Sequence, residues 1–506
     1  MREKKACLII NPRGGQNIAK LPDITTVLAA AGWDTDIAIK EYGGHTMELA
    51  NEAAEKNYEL VIGFGGDGTL SQIVNGVMNA GGQHSTVGLI PGGTANVWAS
   101  EIGLPTDPIK AVLALVNSEP RKVDIGHVEV ESLTFPETKQ NGQGQSGGNK
   151  SQKKKAKSSS KAKHHFLLMA GLGLDAAVMG HVSKPLKYRI GPLAVGLSAA
   201  KELPTQHQFP LEIHIADGSR KGEALWKGEA LQVVVGNTRR YADIVEMTPN
   251  AHIDDGVLDV CVITAGDPLT TLQQVASLLL RRKPDNLTSE YFHGAHLTIT
   301  VPATIDLQLD GSAVKLNDYL SKSDRKALEQ VENKEQVMVN YRFDAQPSAL
   351  RVAIPYTYDD ALFEDSAGKK QEQHDSAQEE QRRSAENTSR DKDQLDQPGD
   401  GERQESQQSP EHLDAFLQNG RKVVVAGVTR VPDKKLRYIV AGSTTKRSTG
   451  EAKPVALRID DNTTIVRRTG EPAPLAVIQK LPEGGEVFVE GKLNKRGVIR
   501  AKRIVF

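Results

Sequence analysis

The sequence predicts an α/β domain, then a β-rich domain, then a small closed β-barrel. Three observations carry that reading. Strand-like and helix-spaced runs alternate through residues 1–122, strand-like runs dominate from there to 345, and a fresh set of short strand runs fills 412–506.

The alternation starts with "ACLIIN", an unbroken apolar run of buried-strand type, followed by "LPDITTVLAAAG" with helical spacing that stops at Gly32. "DTDIAIK" alternates as a strand does, "TMELANEAAEKN" is helical, and "YELVIGF" is again a strand. "TLSQIVNGVMNA" reads as a helix, "TVGLIPGG" as a strand and turn, and "TANVWASEIGL" as a further helix. Regular β-α-β order with short connections implies a parallel sheet covered by helices.

From 123 the runs "KVDIGHVEVESL", "HHFLLMAGLG", "PLEIHIADG", "EALQVVVGN", "GVLDVCVIT", "AHLTITV" and "TIDLQLDG" predict antiparallel strands with few helices between them. "GPLAVGLSAAKEL" and "DPLTTLQQVASLLLRR" are the helices expected there. Residues 138–163 are Gly, Gln, Ser and Lys without an acid, and 364–411 are almost wholly polar. Both segments are expected to be disordered, the first as a basic insertion and the second as a linker. In the last segment "EVFVEGKLNKRGVIRAKRIVF" predicts a hairpin with a Lys-Arg-Gly turn, within a barrel of the OB type.

Composition narrows the function classes. A net charge of -1 argues against a general nucleic-acid binder, so nucleic acid is an unlikely partner. Only Cys7 and Cys261 are present, which excludes a disulfide framework and makes the cytoplasm the default compartment. No apolar run is long enough to cross a bilayer, so a lipid substrate would have to be met from the water side.

The chemistry concentrates in three loops expected at the carboxyl ends of the parallel strands, where open α/β sheets bind ligands. "NPRGG" spans Asn11, Pro12, Arg13, Gly14 and Gly15. "GGDGTLS" spans Gly65, Gly66, Asp67, Gly68, Thr69, Leu70 and Ser71. "PGGTAN" includes Thr94 and Asn96. Glycines let backbone N–H groups approach anionic oxygens, and a following helix offers its positive end. Asp67 would repel phosphate directly, and it makes sense with a divalent cation between the two. Three such loops in one crevice point to a nucleotide site.

These loops, with "LIPGGTANVWASEIGLP", "VDIG", "GLGLDAAV", "VVVGNTRRYADIVEMTPNAHIDDGVLDV" and "LQLDGS", resemble the superfamily of diacylglycerol kinases, sphingosine kinases and bacterial lipid kinases. The resemblance runs in family order from Cys7 to Ser312. It implies a nucleotide-binding α/β domain of the NAD kinase/diacylglycerol kinase type facing a β-rich lipid-binding domain. It implies ATP and Mg2+ as cofactors and a lipid hydroxyl as acceptor. The three loops then match nucleotide-contacting positions. Asp255, with the carbonyls of His252 and Val257, matches a structural magnesium site, although an Asp-Gly turn between strands explains the same residues. One departure matters. Where relatives carry a glutamate that deprotonates the lipid hydroxyl, this chain reads Asp310-Gly311-Ser312. Asp310 is then the expected proton acceptor and Asp67 the organiser of the metal-nucleotide end. A plain hairpin turn is the alternative reading of "DG".

The implied protein is a cytoplasmic, peripherally membrane-associated lipid kinase. A NAD kinase-like enzyme and a nucleotide-binding regulator without catalysis are its rivals. The lysines at 150, 153, 154, 155, 157, 161 and 163 form a basic stretch suited to an anionic leaflet, or one that is simply solvated. The barrel is expected to serve regulation or protein interaction. Its scarcity of aromatic residues leaves single-stranded nucleic acid as the lesser alternative.

Overall fold

The computed structural model describes residues 4–12, 18–81, 84–136, 163–173, 208–241, 245–264, 288–364, 413, 416–418, 420–433, 436–445 and 450–506. The chain divides into two bodies, residues 1–21 with 32–357 and residues 22–31 with 358–506.

In the first body, β1 (Lys4–Ile10) buries Ala6 through Ile10 without interruption, as a parallel strand covered on both faces does. It pairs in parallel with β2 (Trp33–Ile39) and with β3 (Leu60–Gly65), and β3 pairs in parallel with β4 (Thr86–Pro91). The helices are α1 (Leu21–Ala30), which from Pro22 onward groups with the second body, then α2 (His45–Glu55), α3 (Asp67–Asn79), α4 (Val97–Glu101) and α5 (Pro108–Val116). α5 starts where Asp107 Oδ1 accepts the N–H groups of Ile109 and Lys110, with Pro108 at the first helical position. α4 is shorter than its sequence suggests. Asn96 sits in the left-handed region at φ 51° and ψ 48°, so the helix cannot begin before Val97, and Gly103 at φ 67° ends it. α3 packs closely on α2, where a Cβ on Gly76 would lie 2.3 Å from the Met47 carbonyl oxygen.

The strand β5 (Ser118–Thr134) runs through position 122 without a break. It is followed by β6 (His165–Phe166), β7 (Met169–Gly173), β8 (Phe209–Ile215), β9 (Ala224–Ala230), β10 (Gln232–Gly236), β11 (Arg240–Tyr241) and β12 (Val245–Glu246). Next come β13 (Leu258–Ile263), β14 (Ser289–Gly294), β15 (His296–Pro302), β16 (Leu307–Leu309), β17 (Ser312–Val314), helices α6 (Leu316–Tyr319) and α7 (Lys322–Glu329), and β18 (Met338–Pro355). β18 pairs antiparallel with β5 and, at Arg351 and Val352, in parallel with β4. One sheet therefore continues from the α/β part into the β-rich part, in the order β2-β1-β3-β4-β18-β15-β8-β9. A second, antiparallel sheet, β14-β13-β10-β7-β16-β17, shares a core with it. Ile213, Ile299 and Tyr341 enter that core from one sheet, and Leu172, Val235 and Val260 from the other. This is a β-sandwich built on the edge of an α/β sheet.

In the second body, β19 (Arg421–Arg430), β20 (Tyr438–Thr445), β21 (Ala452–Ile459), β22 (Thr464–Val466), β23 (Glu486–Leu493) and β24 (Val498–Val505) are the strands. The pairings β19–β20, β20–β21, β21–β24, β24–β23 and β23–β19 close a five-stranded barrel around Val423, Val440, Leu457, Ile478 and Ile499. The expected hairpin is β23–β24. Asn494 Oδ1 accepts from the N–H groups of Arg496 and Val498, and Gly497 takes φ 78°. The two helices expected in 191–203 and 267–282, and residues 138–162 and 365–411, lie outside the described residues.

Candidate functional site

The first fixed feature is the contact between two glycine loops. A Cβ on Gly66 would stand 2.9 Å from Gly93 Cα, and one on Gly93 would stand 2.5 Å from Gly66 Cα. Backbone therefore lies directly on backbone where β3 and β4 end, and no side chain fits between them. Around this contact the polar groups are locked. Asn96 Oδ1 accepts from Gly93 N–H at 2.9 Å, while its Nδ2 donates to Gly93 O at 2.9 Å. Asp67 Oδ1 accepts the Trp98 N–H at 3.2 Å, which ties the first residue of α3 to α4. Asn11 Nδ2 donates to Thr69 Oγ1 at 3.3 Å and brings the end of β1 to the same turn. The N-terminus of α3 thus opens, at exposed Gly68, in a cradle made from three strand ends. A helix of this length offers an anion its N-terminal N–H groups and the positive end of its dipole.

The second feature ties α3 to the sandwich. Asn75 is buried and uses its whole amide. Nδ2 donates to Ser71 O and His165 O at 2.8 Å each, and Oδ1 accepts from the N–H groups of His164 and His165 at 3.0 Å each. That suture places Lys163 beside α3, where its Nζ donates to Ser71 Oγ at 3.4 Å and its carbonyl accepts from the Tyr319 hydroxyl. Lys163 was expected to belong to the disordered basic stretch; it is instead an ordered residue at the foot of β6. Loss of hydration lowers its ammonium to about 8, opposed by Asp310 and assisted by Lys40. The neighbouring His127, His164 and His165 rings lie 5.0 and 5.8 Å from one another across His127. Burial holds His165 down at about 3.

The third feature is the turn between β16 and β17. Asp310 and Gly311 take φ 48° and 71°, and Leu309 pairs with Ser312 across them. Two left-handed residues in a two-residue loop are the geometry a tight hairpin requires, and Asp-Gly suits it. Asp310 is fully enclosed. Its Oδ1 accepts from Leu168 N–H at 2.8 Å and Met169 N–H at 3.2 Å, and its Oδ2 from Leu167 N–H at 3.2 Å. Desolvation still raises its carboxyl. The residue read as a proton acceptor therefore has a structural task, anchoring the segment that leads into β7. Ser312 comes next, and its Oγ is the nearest atom, at 4.0 Å, to a Cβ placed on Gly68. Another buried carboxylate does similar work nearby. Asp124, from "VDIG", accepts from Gly256 N–H at 2.6 Å and Ser348 N–H at 2.7 Å, joining the 254–257 turn to the kink in β18.

The residues proposed for a structural cation lie on that turn. Asp255 Oδ1 accepts Val257 N–H at 3.0 Å, Gly256 takes φ 76°, and His252 Nδ1 is 4.0 Å from Asp255 Oδ2. Asp259 is pushed up to about 6 by burial first and by Asp255 second. Crowded carboxylates of this kind suit a hard cation with oxygen ligands, so the residues fit one. The turn and the cation are compatible readings, not rivals. In a separate group, Asp217, His296 and Asp344, both carboxylates already pair with Arg342, with Asp344 Oδ1 2.9 Å from Nη2.

The structure brings Asn11, Gly65, Gly66, Asp67, Thr69, Ser71 and Asn96 together at the start of α3; Pro12 is exposed next to Asn11, and Thr94 is half-buried in the second loop. Leu70 is buried in the helix, and residues 13–15 lie outside the described residues. Sequence reading missed Asn75 and Lys163. Asn75 was visible as a polar residue on the apolar face of an amphipathic helix. Lys163 was hidden by six other lysines that share its composition.

Two domain families match along the chain. The "Diacylglycerol kinase catalytic domain" family matches residues 5–128, and the "YegS C-terminal NAD kinase beta sandwich-like domain" family matches 169–320. A diacylglycerol kinase of Bacillus subtilis is 28% identical over 312 residues, covering 61% of this chain and 89% of the relative. One from Staphylococcus saprophyticus is 26% identical over 309 residues, covering 61% and 88%. The crystal structure of a "putative diacylglycerol kinase" from Bacillus anthracis str. Sterne has the same fold, with TM-score 0.51 at 21% identity over 71% of this chain and 97% of that one. With residues 5–128 and 169–320 matched in order by these two domain families, the chain belongs to the YegS-like lipid kinase family.

Proposed function

We propose that this protein transfers the γ-phosphate of ATP to a hydroxyl of diacylglycerol or a related lipid. The observation that carries the reading is the meeting of the Gly66 and Gly93 loops at the N-terminus of α3, with the β16–β17 turn alongside. The first two would hold the phosphates, and the last marks the acceptor side. Asp67 would hold Mg2+ against the phosphates, and the ion supplies charge neutralisation for the transfer. A second Mg2+, on Asp255 with the carbonyls of His252 and Val257, would be structural. Among the described residues no helix is long and apolar enough to cross a membrane. The lipid would therefore be met peripherally.

Labelled ATP with a mixed lipid extract and, separately, with NAD tests this. Label in the organic phase is the expected result, and Asp67→Ala should abolish it. Label on NAD alone would show a NAD kinase-like enzyme. Ser312, which has no proton-accepting capacity at neutral pH, favours a second reading, a nucleotide-binding regulator; binding of ATP without transfer to either acceptor would establish that one.

A further inference from the structure

We propose that the ε-amino group of Lys163 is the base that takes the proton of the acceptor hydroxyl. The inference rests on the lipid kinase reading and adds to it the group that performs the proton transfer. Gly68 and Ser71 are three residues apart, so they lie on one face of the first turns of α3. Ser312 Oγ faces that strip at Gly68, and Lys163 Nζ donates to the hydroxyl at Ser71. The two side chains therefore bracket the place where an acceptor must approach a phosphate seated on the helix N-terminus.

The other acid-base groups at this place are engaged or unsuited. Asp310 accepts three backbone N–H groups from Leu167, Leu168 and Met169. Asp67 is turned to Trp98 and stands at the donor end. His165 is held far too acidic to take a proton near neutrality, burial also lowers His127, and His164 Nδ1 is engaged with the Val128 carbonyl. Ser312 is a hydroxyl. Lys163 remains, and its surroundings tune it. From the β16–β17 turn Asp310 favours its charged form, and from the end of β2 Lys40 opposes it. From α3 it donates to the neutral Ser71 hydroxyl, and loss of hydration outweighs the pull of Asp310. A base that titrates near the working pH is the efficient kind.

In the step itself the neutral amine accepts the hydroxyl proton while the new O–P bond forms. The bond between the γ-phosphorus and the bridging oxygen breaks, and the nucleoside diphosphate leaves. The ammonium then sits between Asp310 and the product phosphate until water takes its proton.

The test compares wild type, Lys163→Arg, Ser312→Glu and the double variant, using ATP and vesicles of diacylglycerol in phosphatidylglycerol. For wild type kcat should rise about tenfold per pH unit up to the amine's titration near 8 and then level. Lys163→Arg keeps the charge and cannot deprotonate, so kcat should fall about 100-fold while KM for ATP stays within about threefold. Adding Ser312→Glu should restore transfer and move its onset toward acid. Wild-type kcat and pH profile in Lys163→Arg would overturn the proposal while leaving the kinase reading intact. Absence of transfer in every variant, Ser312→Glu included, would overturn both. A measurement on the unsubstituted protein guards against misfolding: acetic anhydride labelling of Lys163, read by peptide mass, should show half-reaction near pH 8. A midpoint at the ordinary lysine value would refute the assignment.

Discussion

The imidazole of His165 gives this fold a specific weakness to acid. The ring's Nδ1 is buried and, among the described residues, has no hydrogen-bond partner. Desolvation lowers it from 6.5 to about 3, with His127 and His164 adding to the effect. A base depressed in the folded state stabilises the fold fully above its unfolded value, and that contribution is lost as the pH falls from 6.5 toward 3. At about pH 5 the unfolded chain holds a proton that the folded ring refuses, over about 1.5 units, which is about 2 kcal/mol. All three tryptophans, Trp33, Trp98 and Trp226, lie in the first body, so their fluorescence follows its unfolding alone. Urea titrations at about pH 7.5 and about pH 5 should show wild type losing about 2 kcal/mol more than His165→Gln. The backbone of position 165, which binds Asn75, is kept in that variant, and His127 and His164 are common to both proteins. Equal losses in the two proteins would refute the argument.

Three further perturbations follow from the geometry. Asn75→Ala leaves the N–H groups of His164 and His165 without their acceptor, and should cost about 2–4 kcal/mol in urea unfolding. Gly93→Ala places a methyl 2.5 Å from Gly66 Cα and must push the two loops apart. In the kinase assay it should cut kcat/KM about 100-fold with little change in the tryptophan-monitored midpoint. Millimolar Mg2+ should raise the melting temperature of wild type above about pH 6, where Asp259 ionises beside Asp255, and should leave Asp255→Asn unmoved.

Much of this was legible in the chain because the signals are periodic or local. β1, β3 and β4 appear as largely apolar runs and β2 as an alternating one, and their parallel pairing follows from the helical connections between them. The glycine loops are legible for the same reason: only glycine satisfies a backbone contact such as that of Gly66 with Gly93. β18 escaped notice because Pro347 and the left-handed Ser348 break its alternation in the middle. Yet that strand joins the parallel strands to the antiparallel ones within one sheet, and a buried carboxylate at Asp124, more than two hundred positions away, holds its kink. Lys163 escaped for a different reason. Composition describes a segment, whereas burial is decided one residue at a time by what the next strand touches.

The β16–β17 turn shows how the donor and acceptor sides of such a site can vary independently. Asp310 and Gly311 have backbone duties: left-handed φ values, and a carboxylate that holds Leu167, Leu168 and Met169 in place. Those duties fix where position 312 stands, whatever side chain it carries, because the register Leu309↔Ser312 is set by the turn. Ser312 is only half-buried and Gly68 across from it carries no side chain, so the turn constrains position 312 through its backbone and not through its side chain. The same Asp310 lies close enough to Lys163 to act on its charge. The residue that anchors the turn thus also bears on the amine across the cleft. A change of proton acceptor from position 312 to position 163 then requires no change of fold, only the loss of one side chain and the burial of another.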